Sequence, residues 1–110
     1  METNAMGRVV TEATIENLGD LWGAQQGWIP DDQVRRITIS DALVDTGATL
    51  LCLPTSLIRQ LGLTKSGTRI FNTSLVKTEA NIYGTVRLTI QGRFCHLDVS
   101  EGSYESPVLM

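Results

Sequence analysis

The stretch Ala42–Pro54 (ALVDTGATLLCLP) constrains this chain more than any other, because two apolar runs enclose a single Asp45-Thr46-Gly47-Ala48 segment. Apolar runs of this length, without alternation, suit strands covered on both faces. A carboxylate set between two such strands is costly to bury unless it is hydrogen-bonded or held charged for chemistry. Asp-Thr-Gly by itself also makes a satisfactory Asx turn. Placement between buried strands sets this one apart, and Gly47 lets backbone approach the acid or a ligand closely.

The surrounding pattern is mostly β with one short helix. Met6–Asn17 alternates as a strand with Val9, Thr11, Ala13 and Ile15 on one face, and Val34–Ser40 alternates again, its Arg35–Arg36 pair expected on a solvated face. Between them, Leu18–Asp32 holds three glycines, one proline and both tryptophans. That composition predicts a loop packed by its own aromatic side chains, with an aromatic cofactor box as the sharper alternative. After Pro54, the spacing of Leu57, Ile58 and Leu61 predicts a two-turn helix with Pro54 in its first turn and Gly62 just past its end. Arg69–Ser74 and Glu79–Gly84 are expected to pair as a hairpin around Leu75–Thr78. Thr85–Ile90 follows with Val86, Leu88 and Ile90 inward. Gln91–Gly92 suits a two-residue turn into Arg93–Ser100, with Cys95, Leu97 and Val99 on one face. Glu101–Pro107 is expected to be a loop, and Val108–Met110 the beginning of another strand.

A chain of 110 residues makes one domain, and 9 Lys and Arg against 12 Asp and Glu leave a net charge of −3. No basic run offers a footprint for nucleic acid or an anionic membrane, so neither is expected as a partner. No apolar run reaches the roughly 18 residues of a membrane helix, and METNAMGRVV carries charge where a secretory signal is apolar. A soluble, cytoplasmic protein is therefore expected. Cys52 and Cys95 have no CxxC spacing and are expected to be buried thiols, not a metal or redox pair. His96 is a lone strand-face histidine without the partners of a zinc site or catalytic dyad. Gly62–Gly67 (GLTKSG) lacks the Lys and Ser or Thr of a phosphate loop. The Asn72-Thr73-Ser74 sequon has no meaning without secretion. No metal or organic cofactor is implied.

Val44-Asp45-Thr46-Gly47-Ala48, followed by an apolar run and a short helix, resembles the retropepsin-like aspartic proteases. The likeness is specific at Asp45–Ala48 and topological over most of the remaining chain. It implies a closed, barrel-like β domain acting as a homodimer, because aspartic proteolysis needs two carboxylates sharing one proton. Asp20, Asp31, Asp32, Asp41 and Asp98 are not followed by Thr-Gly or Ser-Gly. The second acid would then come from a symmetry-related Asp45 across a twofold axis. The resemblance further implies that Thr46 makes reciprocal hydrogen bonds across that axis, with Gly47 and Ala48 completing the loop. It also implies that Ser74, Leu75, Val76 and Lys77 belong to a flap over an extended peptide or protein substrate. Family members continue past the point matching Met110 into a helix and a terminal strand, and residues 1–110 are expected to be one such domain without them. Two alternatives stay open at this stage. One is a catalytically silent member of the fold that binds peptides or dimerises, and the other is an unrelated small barrel whose Asp-Thr-Gly is only a turn.

Overall fold

The computed structural model describes residues 2–3, 8–45, 50–72, 77–102 and 108–109, with side chains over 11–40, 42, 51–70 and 79–102. The chain runs through β1 (Glu2–Thr3), β2 (Arg8–Asn17), α1 (Leu18–Gln25) and a 3₁₀ turn (Asp31–Gln33). It continues through β3 (Arg36–Asp45), β4 (Leu50–Pro54), α2 (Thr55–Leu61) and β5 (Lys65–Asn72). β6 (Lys77–Ile90), β7 (Arg93–Gly102) and β8 (Val108–Leu109) complete it. In space the strands follow the order β1-β2-β3-β8-β4-β7-β6-β5, and a further β2–β6 pairing joins the ends of the central six. The sheet thus curls into a ring, with β1 outside on β2 and β5 outside on β6.

Alternation fills that ring. Ala13 and Ile15 of β2, Leu51 and Leu53 of β4, Val86 and Leu88 of β6 and Val99 of β7 meet Ile58 and Leu61 of α2 in one core. Each fully buried Leu, Ile or Val contributes about 1.5–3 kcal/mol over leaving it in water. Leu51, Cys52 and Leu53 are consecutive and all buried, so β4 is covered on both faces, as its unbroken apolar run predicts.

β3 is one strand where the sequence suggests a break near Ser40. Thr11 pairs with Ala42 but Ala13 pairs with Ile39, so β3 carries one residue more than β2 across this bulge. The extra residue shifts the inward phase from Ile37 and Ile39 to Ala42. Alternation read along the sequence fails there although the strand continues. β7 likewise runs two residues further than expected, taking Glu101 and Gly102 out of the predicted loop.

The largest departure is Leu18–Gln25, expected as loop and found as a helix, so the described residues form two α-helices and not one. Asn17 caps it, its Oδ1 accepting from the Asp20 N–H at 3.1 Å while its Nδ2 donates to the Leu61 carbonyl at 2.9 Å. Leu18 and Leu21 pack with Val34 in a small second core, supported by Ala24 and Ile29. The tryptophans do not pack the segment, since Trp22 and Trp28 are both exposed. Arg35 and Arg36 are not simply solvated either. Arg35 holds Asp20 by its Nε and Nη2, and Arg36 shares Glu16 with Arg87. Cys52 is buried as expected, but Cys95 is exposed, because β4 pairs with β7 from Asp98 on and Arg93–His96 lie ahead of that ladder, all exposed.

The predicted punctuation at α2 and at the β6–β7 turn is present, with Pro54 as the N-cap of α2 rather than within its first turn. Gln91 and Gly92 have φ of 52° and 78°, the paired left-handed geometry of a two-residue hairpin turn. Gly62 ends α2 at φ 64°, and a Cβ there would collide with the Arg35 guanidinium that grips Asp20. Gly62→Ala is expected to lower stability by about 1 kcal/mol or more, a Tm drop of roughly 4–8 °C by calorimetry. Gly67→Ala, which meets open space, should stay within roughly 3 °C of the parent. Equal Tm values for the two variants would contradict this role of Gly62.

Candidate active site

The segment 46–49 joins two strands that do not bond to each other. β3 pairs in parallel with β8 through Leu43↔Val108 and Val44↔Leu109, and β4 pairs antiparallel with the other edge of β8 through Leu51↔Leu109 and Cys52↔Val108. Val44, Leu109 and Leu51 therefore lie in one row across three strands. Asp45 is the next residue along β3 and its last, where its backbone pairs with Arg8 of β2. A parallel β4–β7 ladder, Leu50↔Asp98 to Pro54↔Gly102, backs the far side. Backbone hydrogen bonds on both edges of β3 and of β4 thus fix the two ends of the connection that carries the acid.

The side chain of Asp45, and Thr46, Gly47 and Ala48 altogether, lie outside the described residues. So do Ser74, Leu75 and Val76. Lys77 opens β6, and its pairing with Asn72 is the last rung of the β5–β6 hairpin, so the predicted hairpin is present and encloses residues 73–76. Among the described residues there is no cluster of His, Cys, Asp and Glu fit to hold a metal, and no helix long and apolar enough to cross a membrane. An open cleft of about 650 Å³ lies elsewhere, at the β6–β7 turn, among Leu88, Ile90, Gln91, Arg93, Phe94 and Cys95. It holds no described carboxylate. His96 stands on the same hairpin, exposed, with its ring centroid 6.1 Å from that of Phe94.

The arrangement matches solved structures. The solution structure of the simian foamy virus (mac) protease superposes with a TM-score of 0.52 at 19% identity, over 92% of this chain and 86% of that one. The chain has the retropepsin-like fold. The foamy viral protease-reverse transcriptase, solved in complex with an RNA/DNA hybrid, matches with a TM-score of 0.50 at 14% identity. That match covers 91% of this chain and only 11% of the longer one. No family model and no curated protein matches the sequence.

Within this retropepsin-like fold, Glu101 is a residue that sequence reasoning missed. Its Oε1 accepts from Asn81 Nδ2 at 2.9 Å and from the Tyr83 hydroxyl at 3.5 Å, and its Oε2 accepts from Thr55 Oγ1 at 2.8 Å. One carboxylate therefore ties the end of β7 to the base of the β5–β6 hairpin and to the first residue of α2. The Asn81 amide, then the Thr55 hydroxyl, and further on the Tyr83 hydroxyl and the Arg59 charge hold the carboxyl below the usual glutamate value. The signal was there only as an acid at a strand end, since its three partners lie 18 to 46 residues away.

A carboxyl whose folded value is depressed adds stability above its unfolded value and loses it as pH falls through the folded one. Glu101→Gln is therefore expected to lower Tm at about pH 7, with the difference from the parent shrinking as pH drops below about 4. Thermal melts across that range check it. A difference that stays constant or grows toward acid would contradict the charged anchor.

Proposed function

We propose that this chain is one protomer of a homodimeric aspartic endopeptidase. The observation that supports the reading is that Asp45, which opens the Asp-Thr-Gly sequence, is the last residue of β3, a strand bonded to β2 and β8 in a retropepsin-like fold. One chain supplies one such acid, and the reaction needs two. A twofold axis beside the end of β3 brings each Asp45 opposite its copy. The two carboxylates share one proton. The ionised one takes a proton from the attacking water, and the protonated one donates to the scissile carbonyl oxygen as the tetrahedral intermediate forms. As the intermediate collapses and its C–N bond breaks, the carboxyl that took the water's proton gives it to the departing nitrogen, and the other carboxylate takes back the hydroxyl proton as the new carbonyl forms, which restores the pair with one shared proton. No cofactor is required.

In this reading Thr46 locks the two loops across the axis, and Gly47 with Ala48 keeps the floor of the cleft low. A peptide or protein substrate lies extended under the hairpin tip, with Ser74, Leu75, Val76 and Lys77 closing over it. Backbone hydrogen bonds give it affinity and side-chain pockets give selectivity. The exposed Cys95 thiol suits a reducing compartment, and we place the protein in the cytoplasm on that ground.

The test is cleavage of a broad peptide library between about pH 3.5 and 7, with mass measured by sedimentation in the same buffers. A dimeric parent is expected to cut with a bell-shaped pH profile, and Asp45→Asn to lose at least roughly 10³-fold in rate. A stable dimer that binds peptides without cutting them would replace this reading with a silent peptide-binding module. Cleavage that survives in Asp45→Asn would remove Asp45 from the chemistry.

A further inference from the structure

The segment between β2 and β3 carries a surface that neither the core nor the proposed proteolysis uses. It is built to be rigid. Beyond the Asn17 cap, Asp20 accepts from the Arg35 backbone N–H at 3.0 Å and from Arg35 Nε at 2.8 Å, and the Trp28 N–H donates to the Gly23 carbonyl at 2.9 Å. Its small core is satisfied by Leu18, Leu21 and Val34. Yet Trp22 is 56% exposed and Trp28 78%, two of the most exposed large apolar side chains described. An indole offers a large, stiff contact area and a π face that attracts cations.

The charge carried by the segment itself has one sign. Leu18–Val34 contains Asp20, Asp31 and Asp32 and not one Lys or Arg. Arg35 neutralises Asp20, but Asp31 and Asp32 are exposed in the 3₁₀ turn that starts three residues after Trp28, with no ion-pair partner among the described residues. Two exposed indoles in one short segment with two uncompensated carboxylates complement one chemistry in particular. Arginine presents a flat cation that stacks on an indole while its N–H groups reach a carboxylate. We propose that α1 and the 3₁₀ turn form a docking surface for an arginine-rich segment of a partner protein, with Trp22 and Trp28 as the apolar anchors and Asp31 and Asp32 as the charge partners. Interface hot spots favour this pairing of Trp with Arg. The proposal is independent of whether Asp45 is catalytic.

The chain has only these two tryptophans, so intrinsic fluorescence and the two indole N–H signals in an NMR spectrum report this surface alone. The full chain is titrated with an arginine-rich nonapeptide amide (GRLRGRLRG), its glutamate counterpart (GELEGELEG) and its glutamine counterpart (GQLQGQLQG), with peptide integrity checked by mass. The arginine peptide is expected to shift both indole signals saturably, and the other two to leave them in place. Trp28→Ser, read from the remaining Trp22 signal, should weaken binding roughly fivefold or more. Asp31→Asn with Asp32→Asn should weaken it comparably and flatten its salt dependence. Both variants alter exposed side chains, and a Tm near the parent value verifies their fold. Equal binding of the glutamine peptide would overturn the proposal in favour of a merely apolar patch. Concentration-dependent self-association lost in Trp28→Ser, with no response to the arginine peptide, would overturn it in favour of a second copy. Unshifted indoles, or affinity unchanged in the variants, would overturn it outright.

Discussion

Everything near Asp45 depends on a two-residue strand. β3 and β4 run in opposite directions and are joined by four residues, the arrangement of a hairpin, but β8 stands between them and takes the hydrogen bonds each would have offered the other. The pair is thereby held one strand apart. The acid thus sits at the end of a strand bonded on both edges, which fixes its backbone. Val108 and Leu109, almost at the end of the sequence, position a residue more than 60 places earlier.

The ring around this connection is held by two kinds of force. Apolar burial from β2, β4, β6, β7 and α2 supplies a core that does not depend on pH. Charge-assisted contacts then join elements that the core alone would leave free to shift. Glu16 binds Arg36 and Arg87 across three neighbouring strands, and Glu101 binds the hairpin base and α2. The hairpin that would cover a substrate is therefore anchored at its base by a carboxylate, while its last rung is Asn72↔Lys77.

Much of this was legible in the sequence, for local reasons. Pro54 and Gly62 bracket α2, Gln91–Gly92 turns β6 into β7, and the apolar run after Asp45 marks β4 as a strand covered on both faces. What was not legible involves competing local signals or distant partners. The α1 helix is hidden by Gly19 and Gly23, which disfavour a helix, although Asn17 three residues before Asp20 and the Leu18–Leu21 spacing carry its cap and its buried face. The bulge in β3 breaks alternation without breaking the strand. Cys95 alternates with Leu97 and Val99 in sequence but lies ahead of the stretch of β7 that pairs with β4. The Glu101 and Glu16 contacts bridge separations that no periodicity encodes.

The central claim is that two Asp45 carboxylates face each other across a dimer axis and share a proton. It is tested most directly by a ¹³C NMR titration of the aspartate carboxyl signals, at concentrations where sedimentation shows a dimer, with Asp45→Asn identifying the resonance. A shared-proton pair predicts two well-separated macroscopic steps for Asp45, one below and one above the ordinary aspartate value. A single step at the ordinary aspartate value would contradict it.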